Sequence, residues 1–306
     1  MACGFAMLLA ALPQAAKALD CRASISNINF GSVSVRAGAV NQTSGTVTVS
    51  CSGALLDVVG VCLRFGAGSG GAGSNNAPRY MRRGDGAGLA YELRPLGNGA
   101  TFGTLNVLYV PVVTLLGSGS NTVPIFADIT ASSVSVGSGL YRSDFSGDAN
   151  ISMDYGSLTS CTLLNDHQAS VPPFTVSAQV VPSCELDVTS LSFGSIGRSL
   201  DRVVDETATI NVRCTSDTSY TIGLGMGGGG GADPAMRQMR NGVDTLSYGL
   251  YRDGARVMPW GNLPGSMATG TGTGTNNAFT VYGRIHAGQT PSIGVYTDSV
   301  IVTITY

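Results

Sequence analysis

The sequence predicts an all-β protein made of two tandem copies of one domain. Residues 21–32 read CRASISNINFGS, and residues 184–195 read CELDVTSLSFGS. A second cysteine follows the first after thirty residues in each copy, Cys51 after Cys21 and Cys214 after Cys184, and the approaches to it read TVTVSC and TINVRC. These stretches, like Val300-Ile301-Val302-Thr303-Ile304, alternate with the period of a half-buried strand, and no long run has helical periodicity.

The duplication extends along both copies, and a fixed-period self-similarity decides the architecture before any single motif does. Arg79-Tyr80-Met81-Arg82 matches Arg237-Gln238-Met239-Arg240, and Leu89-Ala90-Tyr91 matches Leu246-Ser247-Tyr248. Phe102-Gly103 then matches Trp260-Gly261, Ile125–Ile129 matches Val281–Ile285, and Gly139-Leu140-Tyr141 matches Gly294-Val295-Tyr296. A chain of 306 residues is long enough to give each copy its own core.

In chain order, residues 1–18, MACGFAMLLAALPQAAKA, have the apolar stretch and the small-x-small ending (Ala16-Lys17-Ala18) of a signal peptide, although a basic start is missing. Residues 19–170 form the first domain. Residues 171–182, with Pro172-Pro173, form a linker or a strand of their own, and residues 183–306 form the second domain. The net charge is −2, 12% of residues are charged and Lys17 is the sole lysine. No basic stripe exists to neutralise phosphates, so nucleic acid is excluded as an expected partner.

The repeat also organises the seven cysteines. The second domain contains only Cys184 and Cys214; if they pair, Cys21 should pair with Cys51, which leaves Cys62 for Cys161 and places Cys3 in the signal. Each thirty-residue closure contributes roughly 3–4 kcal/mol by loop entropy, and such bridges persist in oxidising compartments. Metal binding is the competing use of cysteine, but there is no CxxC, and His167 and His286 fall in different copies. No metal or other cofactor is expected.

With the cysteine and Phe-Gly opening, the thirty-residue cysteine pair, the Met-Arg and Trp-Gly landmarks and Gly294-x-Tyr296-x-Asp298, the chain resembles the spore coat U domain family. That family is similar to the subunits of archaic, Csu-type chaperone-usher pili, and its two-domain members look like pilus-tip adhesins. The resemblance implies two immunoglobulin-like, pilin-type β-sandwiches, the C-terminal one lacking a strand. It also implies a periplasmic pilus chaperone, an outer-membrane usher and an adjacent pilin subunit as partners, and an abiotic or host surface as target. It implies export through the periplasm to the pilus tip at the cell surface. The first copy departs from the pattern in Cys62, Cys161 and Tyr141-Arg142-Ser143-Asp144.

An incomplete sandwich needs an added strand with apolar residues at alternate positions. Phe174, Val176, Ala178 and Val180 provide one such face, and its position just before Cys184 suggests that it completes the first domain in cis; an interdomain linker is the alternative. Val300, Val302, Ile304 and Tyr306 would be the edge of the second domain offered to chaperone and neighbour. Cleavage after Ala18 would leave only Leu19 and Asp20 before Cys21, too few residues for a donor strand, which favours a tip position over the shaft. A structural pilin or coat subunit, or a lectin-like tip, are the alternatives.

Comparing the copies locates a candidate binding surface. The second domain has LPGSMATGTGTGT, read as a solvated loop, where the first has LNVLYVPVVTLL, and TSDTS where the first has SGALLDVVGVC. Leu55, Leu56, Val107, Leu108, Tyr109, Val110, Val112, Val113, Leu115 and Leu116 are therefore candidates for an exposed apolar contact patch, against the alternative of a buried strand pair. The run lacks clean alternation, and Pro111 disfavours a central strand. Catalysis is not expected. Gly225–Gly231 lacks the Gly-Lys-Ser/Thr ending of a phosphate loop, Asp166-His167 has no nucleophile elbow to serve, and Asp144 with Asp148 fits a solvated turn.

Overall fold

The structure is a computed structural model that describes residues 18–306 except 36–38, 54, 96–99, 103–106, 131–135, 157–160, 162–166, 198 and 232. The expected signal segment up to residue 17, with Cys3, and Asp166 lie outside the described residues.

The first domain contains β1 (Asp20–Ile25), β2 (Ile28–Val33), β3 (Gln42–Ser52), β4 (Asp57–Phe65), β5 (Arg79–Arg82), β6 (Gly88–Arg94), β7 (Leu108–Thr114), β8 (Ser118–Ile129), β9 (Gly139–Phe145), β10 (Ile151–Gly156), β11 (His167–Ala169) and β12 (Phe174–Val180). They form an eight-stranded sheet in the order β1-β3-β8-β6-β5-β9-β12-β2 over a four-stranded sheet β11-β10-β4-β7. The second domain contains β13 (Cys184–Val188), β14 (Val204–Cys214), β15 (Ser219–Leu224), β16 (Arg237–Asn241), β17 (Asp244–Tyr251), β18 (Ala268–Thr271), β19 (Asn277–Ile285) and β20 (Val302–Thr305). Its sheets are β13-β14-β19-β17-β16 and β18-β15-β20.

Alternation explains these strands. Val47, Val49 and Cys51 of β3 point inward between exposed or half-buried Thr and Ser, and Ile210, Val212 and Cys214 of β14 point inward between half-buried Thr209, Asn211 and Arg213. Each fully buried Val or Ile contributes about 1.5–3 kcal/mol relative to leaving it in water. Cys21 lies opposite Cys51 on the paired strands β1 and β3, and Cys184 opposite Cys214 on β13 and β14; both pairs are bonded, with Cα atoms 4.1 Å apart. A third disulfide joins Cys62 on β4 to Cys161.

A buried arginine braces each core. The Arg79 guanidinium donates to the carbonyls of Phe65, Gly66 and Phe102 at 2.6–2.7 Å. Arg237 does the same for Leu224, Gly225, Pro234 and Trp260. Burial pushes the Arg79 guanidinium down to about 10 and lowers Arg237 as well. The carbonyls replace the lost hydration, which an unpaired buried charge would otherwise lack.

Two sequence expectations are corrected here. Residues 108–114 form an edge strand, β7, whose Leu108, Val110 and Val112 are buried in the core. Its outward positions Tyr109, Pro111 and Val113 are also apolar, which hides the period of two. In the second domain, part of the Gly/Thr stretch expected to be loop is the strand β18, paired with β15.

At the junction Val181 N–H donates to the Val33 carbonyl of the first domain, and within the second domain Thr215 N–H donates to the Ser183 carbonyl. Arg83 of the β5–β6 turn and Asp217 form an ion pair across the junction at 3.1 Å.

A filled slot, an open groove and an apolar pole

Strand β12 lies inside the first domain. It pairs antiparallel with β9, Phe174 opposite Phe145 through Val180 opposite Gly139, and parallel with β2, Val176 opposite Ile28 and Val180 opposite Val33. Phe174, Val176, Ala178 and Val180 are all buried in the first core. The Phe174 ring stacks on Phe145 with centroids 4.6 Å apart and meets Phe65 edge-on at 6.2 Å. On the outer face, Thr175 N–H donates to Asn27 Oδ1 (2.9 Å) and Thr175 Oγ1 to Asp144 Oδ1 (2.8 Å), while Arg142 reaches both Thr175 Oγ1 and Asp144. Burial works against the Asp144 charge, yet the bonds from Thr175 and Arg142 hold its carboxyl below the usual carboxylate range.

The same slot in the second domain is empty. Gly31 and Gly194 share a left-handed φ of 67° and 69°, so 191–196 matches β2; the Arg82–Arg142 bridge has its counterpart in Arg240–Thr297, so 294–300 matches β9. Neither matched segment is in a strand ladder, and between them lies a groove of about 790 Å³. Its floor includes Leu224, Leu246, Tyr248 and Ile285, and its walls include Phe193, Tyr296 and Val300. The second sandwich therefore lacks the strand that the first one has. Of the four edge residues expected from sequence, Val300 and Val302 line the groove, Ile304 packs half-buried on the core and Tyr306 is exposed beyond it.

The third feature lies at one end of the first domain. The β3–β4 and β7–β8 connections touch: Gly53 N–H donates to the Gly117 carbonyl, and Asp57 pairs with Thr114. Leu55, Leu56, Val58, Val113, Leu115 and Leu116 are exposed there as a group. Five of the ten candidate patch residues are thus on the surface, Val107 and Tyr109 are half-buried, and Leu108, Val110 and Val112 are removed from the patch because their strand packs on the core. The two most exposed leucines, Leu116 (94%) and Leu56 (78%), both have left-handed backbone, φ 54° and 47°. In a two-residue hairpin turn such as 116–117, Asn or Gly adopts this φ without strain, whereas a leucine there costs conformational energy and gains no burial.

Register places this apolar pole away from the junction. Asp20 of β1 lies opposite Ser52 beside the pole, β2 continues away from it along β3, and β12 runs parallel to β2 before leaving at Val180 for the second domain.

The remaining candidates have structural roles. His167 is exposed, its ring 5.3 Å from Tyr155; Asp144 belongs to the Thr175 network and Asp148 is exposed. Gly227 and Gly230 of the glycine run have left-handed φ, and the loop takes bonds from Arg240 and gives one to Asp298. Among the described residues no group of three or more His, Cys, Asp or Glu is placed to hold a metal.

Comparison with known proteins gives a consistent family. Protein U of Myxococcus xanthus is 38% identical over 106 residues, which is 33% of this chain and 59% of that protein, so the chain spans less than two thirds of its relative. The fold is similar to that in the CsuC-CsuE chaperone-tip adhesion subunit pre-assembly complex of the archaic chaperone-usher Csu pili of Acinetobacter baumannii: TM-score 0.54 and 16% identity, covering 93% of this chain and 100% of that one. The family pattern of the Spore Coat Protein U domain matches twice, over residues 6–146 and 171–303, once for each sandwich, and the chain belongs to that family.

Proposed function

We propose that the protein is an exported, non-enzymatic subunit of a chaperone-usher pilus, placed at the tip, where it attaches cells to surfaces and promotes biofilm. The observation that carries this reading is the pairing of one slot filled in cis by 174–180 with an equivalent groove left open in the second domain. An open groove with apolar walls and unpaired backbone is an aggregation hazard unless a strand covers it. A periplasmic chaperone would cover it first, and an adjacent pilin would replace the chaperone at the outer-membrane usher. With the first slot already occupied, the chain offers one acceptor. If processing follows Ala18, Asp20 and Cys21 are already part of β1, and no strand is left to donate.

The apolar pole is the proposed contact surface, since it faces away from the junction and holds two leucines in strained turns. Leu55, Leu56, Leu115 and Leu116 replaced together by Ser tests it in cells assembling the pilus. Attachment to polystyrene should fall to the level of cells without the subunit while surface display is unchanged; full attachment would overturn the adhesive role. Free sugars should not compete, and competition would favour the lectin-like alternative. Mass spectrometry of the mature N-terminus tests the tip position, because an extension of strand length before Cys21 would restore a donor and favour a shaft subunit.

A further inference from the structure

The two slots differ in how they recognise a strand, and this inference rests on the strand-acceptor reading above. Alternation alone leaves register ambiguous. A one-residue slip turns the apolar face outward, but a two-residue slip returns it inward. Something other than the apolar pattern must select among such registers. In the first domain two devices do so. The Phe174 ring is clamped between Phe145 and Phe65, and Thr175 is held by Asn27, Asp144 and Arg142, residues from β9 and from the turn before β2. A strand displaced by two residues one way would put Pro173, with neither N–H nor hydroxyl, in that polar network; displaced the other way, Ser177 could meet the network, but Val176 would take the place of the Phe174 ring between Phe145 and Phe65.

In the second domain both devices are absent. The positions matching Asn27, Arg142 and Asp144 are Ser190, Thr297 and Ser299, and those matching Phe145 and Phe65 are Val300 and Leu224. The charges and the aromatic clamp are gone, while the apolar floor remains.

We propose that Asn27, Arg142 and Asp144 form a register key for Thr175, and that the second groove, lacking such a key, accepts strands of differing sequence. Its occupant is an extended strand of another polypeptide, aliphatic at alternate positions and running antiparallel to 294–300. This fits a groove that must hold two different strands in succession.

The test uses the purified full chain and two labelled peptides, the 172–182 sequence PPFTVSAQVVP and the same peptide with Thr175→Val. The wild-type groove should bind both with affinities within about twofold, because Ser190, Thr297 and Ser299 stand where the first domain has Asn27, Arg142 and Asp144. The triple variant S190N/T297R/S299D installs the key and should bind the threonine peptide about fivefold more tightly than the valine peptide. In a second arm, Thr175→Val in the chain itself should speed hydrogen exchange of amides 174–180 about fivefold and leave 184–188 unchanged. Equal binding of the two peptides by the variant, or unchanged exchange in Thr175→Val, would overturn the key. Discrimination by the wild-type groove would overturn its tolerance. If neither protein binds either peptide, the strand-acceptor reading fails and the proposal fails with it.

Discussion

Asp298 stands in the second domain where Ser143 stands in the first. Each faces a left-handed glycine, Gly227 or Gly68, in the loop that follows the strand after the second cysteine. Ser143 Oγ accepts a long bond from Gly70 N–H at 3.4 Å. Asp298 accepts from Gly228 N–H at 2.7 Å, Ser299 N–H at 2.8 Å and the Tyr248 hydroxyl at 2.6 Å. The domain whose slot is filled thus makes do with a hydroxyl, and the domain whose groove is open pins its wall with a carboxylate.

Asp298→Ala should destabilise the second domain by about 1–3 kcal/mol, since the buried Tyr248 hydroxyl loses its acceptor. Burial and the Asp298 carboxylate together hold Tyr248 well above the ordinary tyrosine range. Ultraviolet titration of the variant should therefore show a tyrosine ionising at lower pH than in wild type, and an unchanged titration would remove the assigned bond.

Phe174→Ala should destabilise the first domain by about 3–5 kcal/mol, the range for deleting a buried ring that here stacks on one ring and meets another edge-on. Calorimetry should show the first domain melting earlier, with the second domain's transition in place. A linker residue would leave both transitions unmoved.

Asp205 supplies a pH dependence confined to the second domain. Its carboxylate accepts two bonds from Arg284 at 2.8 Å across the β14–β19 pair and lies 3.3 Å from Arg256, and these partners hold it below the usual carboxylate value. A group lowered in this way stabilises the fold above its ordinary pKa and loses that contribution as pH falls through the folded value. Asp205→Asn should therefore cost about 1 kcal/mol at neutral pH, and its melting curve should merge with that of wild type in acid.

Much of this was legible in the sequence for a definite reason. The cysteine spacings, the Phe-Gly openings and the Met-Arg landmarks recur because each copy builds the same sandwich, and the landmark arginines Arg79 and Arg237 turn out to be the buried braces of the two cores. The inward face of 174–180 was visible because Thr175, Ser177 and Gln179 separate its apolar residues. In β7 the same logic was masked, since Tyr109, Pro111 and Val113 on the outer face are as apolar as Leu108, Val110 and Val112 on the inner one. The contacts of Thr175 were not legible, because Asn27 lies 148 residues away in sequence and only the packing of β2, β9 and β12 brings it near.

Strand β12 is also the chain's route into the second domain, continuing from Val180 through Val181 to Ser183 and Cys184. Tension applied to the second domain therefore enters the first along the axis of β12. Its ladder bonds to β9 lie across the pull, so they share the load side by side instead of parting one at a time as in a peeled hairpin. The segment that closes the first core is thus also a shear-loaded fastening, and a tug that would unzip an edge strand leaves this one clamped between two neighbours.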